Sequence, residues 1–266
     1  LMFFVPAVPL RTGTSLINTL GNLGLLTNLK LCLDAGDVNS YDGSSQTWKD
    51  LSGNGTDFYR GSTSSAQATD PTFNGIAGKQ SSGEYFSYDG GDVFTAVSVP
   101  SFAQALHKNN AAFSVLEWVY PNAIASTSEL FGVIQTGSTS SPGIYFGNAD
   151  TSSGLPLMFA GFGASGATML VKRSTILFNN SAWNLIGMSF DEAAGALTFC
   201  INGVFESFTG QVYSSPSAGS TDAFWLGRDA IGDLLEKSGN RCASLSVFSA
   251  ALSQADMTAF YNATKG

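Results

Sequence analysis

A chain of 266 residues, 44% of them hydrophobic, is long enough for one large domain with a short appendage and can bury a core. Only 12% are charged, 12 Lys and Arg against 20 Asp and Glu, for a net charge of −8. The longest basic cluster is Lys172–Arg173, which argues against nucleic acid and anionic membranes as partners, and no apolar run approaches the ~20 residues of a membrane-spanning helix.

Residues 1–28 differ from the rest. Leu1–Leu10 is apolar, holds Pro6 and Pro9, and lacks the basic flank and cleavage pattern of a signal peptide. Leu16, Leu20 and Leu23 fall at helical spacing, although Gly21 and Gly24 weaken that helix. We read residues 1–28 as an arm that lies on its own domain or anchors it to a neighbour, and residues 29–266 as one domain.

From Leu29 the period becomes two: Leu29, Leu31 and Leu33 alternate with Lys30 and Cys32. Further strands are expected at Glu84–Tyr88, Phe113–Tyr120, Glu129–Gln135, Gly143–Phe146, Leu155–Phe159 and Thr168–Arg173. Trp183–Phe190, Ala196–Ile201, Val204–Phe208, Phe224–Gly227 and Ala243–Phe248 complete the set. Asn202-Gly203 between apolar runs predicts a two-residue hairpin turn, because both positions need positive φ. Two places read as helical: Phe102–Leu106, and Ser253–Tyr261, where Ser253 and Asp256 form a capping box. Many strands without βαβ units predict an all-β fold, a two-sheet antiparallel sandwich or jelly roll with one short C-terminal helix.

The chemistry-bearing residues are sparse. Cys32, Cys200 and Cys242 are too few and too widely spaced for a disulfide framework; buried thiols or a single Cys200–Cys242 bridge both fit. One histidine, His107, excludes metal sites built on two or three imidazoles, and it reads as a surface or half-buried loop residue. Gly161–Gly166 matches G-x-G-x-x-G, but the β-like run Thr168–Arg173 follows where a dinucleotide site needs a helix, so a hairpin loop is expected. Glycoside hydrolysis needs two carboxylates across a groove. No Glu-x-Asp-x-Glu strand is present, and Glu117 and Glu206 are isolated candidates read as outward-facing and solvated.

The order of the pieces resembles laminin-G-like, concanavalin A-like domains over Leu29–Asn262. Leu31–Gly36, Ser40-Tyr41, Trp48 and Asp50–Gly55 are similar to the family's opening. Phe86–Asp92, Phe113–Pro121, Trp183–Asp191, Ala196–Gly203, Phe224–Arg228 and Ala243–Asn262 resemble its later strands, in its order. The resemblance implies a concanavalin A-like jelly roll with Trp48, Trp118, Trp183 and Trp225 in the core. Relatives of this kind often hold calcium at the rim, which nominates Asp37, Asn39 and Asp42, and separately Asp89 and Asp92, although turn-forming Asp accounts for both sets without metal. Asp50 and Asn54 are assigned to turn hydrogen bonds.

Tyr41, Phe58, Tyr59, Tyr145 and Tyr213 lie in or near expected loops, where aromatics stack on sugars or serve protein interfaces. This variety of the family is common in phage virion proteins. It implies a non-enzymatic virion component, a head decoration, fibre or tail-surface module held to capsid or tail proteins by the N-terminal arm. Such a component is expected to be a homo-oligomer, with host glycans as further partners. The alternative is an extracellular carbohydrate-binding module, with or without calcium; a glycanase ranks third.

Overall fold

The computed structural model describes residues 13–266 apart from 82, 126–128, 149–155, 164–166 and 230–233. Alternating and apolar segments form the strands β1 (Leu29–Asp34), β2 (Thr47–Trp48), β3 (Phe58–Arg60), β4 (Thr72–Asn74), β5 (Tyr85–Ser87) and β6 (Phe94–Ala96). There follow β7 (Ala112–Tyr120), β8 (Ile134–Thr136), β9 (Gly143–Asn148), β10 (Leu157–Phe162), β11 (Thr168–Arg173) and β12 (Asn184–Asp191). The last six are β13 (Ala196–Ile201), β14 (Val204–Phe208), β15 (Phe224–Leu226), β16 (Arg228–Asp229), β17 (Leu234–Leu235) and β18 (Arg241–Phe248). Helix α1 (Leu16–Asn22) precedes them, α2 (Gln254–Thr264) follows, and a 3-10 turn occupies Ala103–Ala105.

One sheet runs β14-β13-β12-β7-β18, and the far edge of β18 pairs with β5, then β4, at its start and with β1 along the rest. The other runs β11-β10-β9-β8-β15-β6-β3-β2, while β16 and β17 form a separate ribbon. Every strand pairing is antiparallel, and the sheets pack face to face over one apolar cluster. Phe113, Val115, Met188, Phe190 and Val247 enter it from the first sheet; Phe58, Phe94, Phe146, Phe159 and Phe224 enter it from the second. This is the all-β jelly-roll sandwich expected from the sequence.

Strand β7 is buried on both faces. Val115 and Val119 point between the sheets, whereas Leu116 and Trp118 point outward into a second cluster with Leu16 and Leu20 of α1 and Met257 and Phe260 of α2. A strand covered on both sides reads as a nearly continuous apolar run. Trp118 Nε1 donates to Thr264 Oγ1 at 2.9 Å and ties α2 to the sheet. The capping box of Ser253 and Asp256 starts that helix as expected. At α1, the Leu16 N–H donates to Asp34 Oδ2 at 3.0 Å. Residues 15–22 therefore lie on the chain's own domain; the leading stretch, 1–12, falls outside the described residues.

Turn chemistry follows the sequence closely. Asn202 and Gly203 have φ of 53° and 78° and join β13 to β14. The glycine-rich run belongs to a hairpin: Gly161 and Phe162 lie in β10, which pairs with β11, while residues 164–166 fall outside the described set. Gly161 admits no side chain, because a Cβ there would collide with the Tyr213 ring.

Three expectations change. The ladder expected from Glu129 begins only at Ile134, because Gly132 has a φ of 60° and breaks the extended backbone. Trp225 is half-buried rather than in the core: Phe224 and Leu226 take the inward positions of a short strand, so Trp225 faces out, with the Arg228 guanidinium carbon 5.3 Å from its ring centroid. The Cys200–Cys242 bridge does not form, because Cys200 packs under the helices and Cys242 faces between the sheets. All three cysteines are buried thiols.

Leu20 is fully buried at the joint between α1 and the sheet. Leu20→Ala is expected to lower unfolding free energy by roughly 2–5 kcal/mol, read as a lower denaturant midpoint with unchanged slope.

Candidate functional site

At one end of the sandwich, the starts of β1 and β7 and the end of β18 meet two loops of the facing sheet. The first loop, between β2 and β3, is held to β1 by Asp50. Its Oδ1 accepts the Cys32 and Ser52 N–H groups at 2.9 and 2.8 Å, and its Oδ2 accepts the Thr56 N–H at 3.1 Å. Asn54 Nδ2 donates to the Leu29 carbonyl at 3.1 Å. Both residues are the turn-bonding groups their sequence context suggested.

The second loop runs from β6 through the 3-10 turn to β7. Its outer side is tied to a distant segment. The Gln104 amide exchanges two hydrogen bonds with the Thr221 backbone at 2.8 and 2.9 Å, and the Tyr213 hydroxyl donates to the Leu106 carbonyl at 2.5 Å. His107 is fully buried, not at the surface, and its Nε2 lies 3.0 Å from the Gly219 carbonyl. A carbonyl only accepts, so Nε2 carries the proton; burial lowers the imidazole pKa and keeps the ring neutral. His107 is therefore a tether for this loop.

Between the two loops opens a cavity of about 620 Å³, within the ~300–1,000 Å³ typical of small-molecule sites. Its lining includes Lys30, Lys108, Asn54, Asn109, Thr56 and Phe102, and among the described residues no Asp or Glu. Lys30 and Lys108 are half-buried, and neither forms an ion pair among the described residues. Glu192 stands behind the wall, where its Oε2 accepts the Asn110 N–H at 2.8 Å. Thr56 is 2% exposed, and its Oγ1 has no hydrogen-bond partner. None of these lysines or asparagines except Asn54 stands out in the sequence. The one local signal is Lys30, a cation interrupting an apolar strand.

The carboxylates sit elsewhere. Glu117 is not outward-facing: it shares the parity of Val115 and Val119 and lies between the sheets, 2% exposed. Cys242 Sγ donates to its Oε1 at 3.3 Å, and its Oε2 has no partner. Glu236, also buried, accepts the Val133 N–H at 2.9 Å and Asn240 Nδ2 at 2.7 Å. Burial, then mutual repulsion, raises Glu117 to about 8; burial raises Glu236 to about 7. Glu206 is on β14, where it accepts the Thr175 N–H and hydroxyl. Glu117 and Glu206 are not brought together, and neither lines the cavity.

The calcium candidates serve local turns. Asp37 Oδ1 accepts the Asn39 backbone N–H at 2.8 Å and Asn39 Nδ2 at 3.0 Å. Asp42 is exposed and accepts the Ser44 and Ser45 N–H groups, which hold its carboxyl below the usual range. Asp89 accepts the Gly91 N–H and donates its own N–H to Asp92 Oδ2 at 2.8 Å. Asp92 is buried and is pushed up to about 7, mainly by that burial. Calcium takes about six to eight oxygens; among the described residues no three His, Cys, Asp or Glu side chains converge. Of the aromatics nominated for ligand contact, Tyr41, Phe58, Tyr145 and Tyr213 are buried, and only Tyr59 is partly exposed. The four buried rings lie near turns in the sequence, yet their side chains turn inward.

The native state holds protons on Glu117 and Glu236 that an unfolded chain releases near pH 4.5. Unfolding free energy is therefore expected to fall as pH rises from about 4.5 to about 8 and then level off. Denaturant titrations across that range test this, and Glu117→Gln should flatten the slope and stabilise the protein at the alkaline end.

Residues 89–258 match the family model of the concanavalin A-like lectin/glucanases superfamily. No curated protein matches the chain. Among solved structures, domain 4 of an extracellular arabinanase from Geobacillus stearothermophilus, in complex with arabinotriose, is 17% identical with a TM-score of 0.57. That match covers 88% of this chain and 98% of the arabinanase domain. The botulinum neurotoxin serotype G binding domain is 15% identical with a TM-score of 0.60, over 88% of this chain and 50% of the toxin domain. The serotype D ligand binding domain, in complex with N-acetylneuraminic acid, is 13% identical with a TM-score of 0.55, over 89% and 51%. This chain thus spans about half of each toxin domain, and at these identities the likeness is one of fold.

Proposed function

The chain belongs to the concanavalin A-like lectin/glucanases superfamily, and we propose that it is a non-catalytic carbohydrate-binding module working outside the cell. The end cavity carries this reading: about 620 Å³ lined by Asn, Ser and Thr residues and by Phe102, with no Asp or Glu among the described lining residues. Amides and hydroxyls match the donors and acceptors of sugar hydroxyls, and an aromatic ring matches the apolar face of a pyranose. Hydrolysis needs an acid and a nucleophile or base about 5–10 Å apart at the bound sugar, and none of the described residues lining the cavity is Asp or Glu. Two of the similar structures hold a saccharide, arabinotriose in one and N-acetylneuraminic acid in the other, which supports the same reading. No helix among the described residues is long and apolar enough to cross a membrane.

A glycan array probed with the full chain, with reducing-end release measured on each bound glycan, tests the proposal. Retention of a defined glycan set without release is the expected outcome. Release of reducing ends overturns the non-catalytic part, and failure to bind any glycan overturns the reading.

A second reading, display on a phage particle as a capsid decoration, fibre or tail-surface module, is favoured by the leading segment. Leu1–Leu10 is apolar in sequence, and α1, which follows it in the chain, is held to the domain through Asp34 and Leu20. In that setting the leader attaches to a capsid or tail protein or to sister copies of the chain. Co-sedimentation with particles at a fixed ratio to a shell protein is then expected. Protein found only in the medium leaves the glycan-binding module alone.

A further inference from the structure

We infer that the end cavity selects an acidic saccharide, one whose carboxylate or sulfate group sits between Lys30 and Lys108. The inference rests on the carbohydrate-binding reading and adds the class of sugar. The chain has only 12 Lys and Arg and a net charge of −8, yet two of those cations line one cavity that no acidic side chain lines. Both are half-buried and without an ion pair among the described residues. An anionic ligand in a cavity lined by two cations gains charge-assisted hydrogen bonds from them. Lysine acts here as a compact point charge, which suits a carboxylate or a sulfate ester equally.

The rest of the lining fixes the ligand as a sugar rather than a bare anion. Asn109, Ser98 and Ser101 supply neutral donors and acceptors, Asn54 keeps its side-chain oxygen as an acceptor, and Phe102 offers an apolar flank. The acidic remainder of the surface disfavours long polyanions, so the charge on the ligand is sparse or its chain short.

Isothermal titration of the full chain with trigalacturonic acid, a sulfated chondroitin disaccharide and neutral arabinotriose tests the inference, at low and high salt. At least one acidic probe is expected to bind about tenfold or more tightly than arabinotriose, with the advantage shrinking as salt rises. Binding of trigalacturonic acid shows that a carboxylate suffices, whereas binding of the chondroitin disaccharide alone, which carries a uronate carboxylate as well as a sulfate, points to the sulfate. Lys30→Gln and Lys108→Gln should each weaken the acidic probe by roughly five- to tenfold, and the double variant should bring it to the arabinotriose level. Lys79→Gln, an exposed lysine outside the cavity, should change nothing. Neither cavity lysine supplies a side-chain hydrogen bond to the fold, so unchanged melting curves will show that the variants are folded. Acidic binding that survives the double variant places the site elsewhere and overturns the inference. Equal binding of neutral and acidic probes also overturns it and leaves the carbohydrate reading standing. No binding by these probes or by any glycan on the array overturns both.

Discussion

Strand β7 has neighbours on all four sides, and the rest of the molecule is arranged to keep it so. It is hydrogen-bonded to β12 along one edge and to β18 along the other. Its inward face packs on the second sheet and its outward face on α1 and α2. Leu116 and Trp118 would otherwise present a large apolar patch to water, so the two helices are a required cover. The Trp118–Thr264 and Leu16–Asp34 hydrogen bonds fix that cover at its two ends.

The same two-sided burial explains where the sequence could be read and where it misled. Strands of five residues or more were legible, because apolar periodicity needs length. Turn residues were legible too: Asn202-Gly203, Asp50 and Ser253 each act through bonds made within or next to their own loop. Glu117 was misread because a continuous apolar run hides its own parity; only knowing that Trp118 lies under α2 places Glu117 between the sheets. Trp225 erred the other way, since a three-residue strand gives a tryptophan no pattern to declare its face. The cavity was illegible for a different reason: Lys30, Asn54, and the pair Phe102 and Lys108 come from three separate segments, and only the topology brings them together.

Scaffold and recognition surface use polar groups in opposite ways. Between the sheets, Cys242 donates to Glu117 Oε1, Asn240 donates to Glu236, and Glu236 and Asn240 bond the backbone of Val133 and Leu130, so one Glu117 oxygen alone is left over. Such a network specifies how β7, β18 and the Leu130–Val133 segment register, at the cost of burying two acids. At the end cavity, Lys30 and Lys108 are left without an ion pair among the described residues, on segments that the strands hold in place.

The tethers behind the cavity carry a consequence for how this end of the molecule opens. Gln104 and His107 bind the backbone at Thr221 and Gly219, and Tyr213 binds back to Leu106. The two stretches are separated by 107 to 117 positions in the chain, yet neither can leave without breaking the other's bonds. They form one cooperative unit of local unfolding, so their backbone amides should open to solvent exchange together, and a ligand seated against Phe102 slows exchange in residues 213–221 that it never touches.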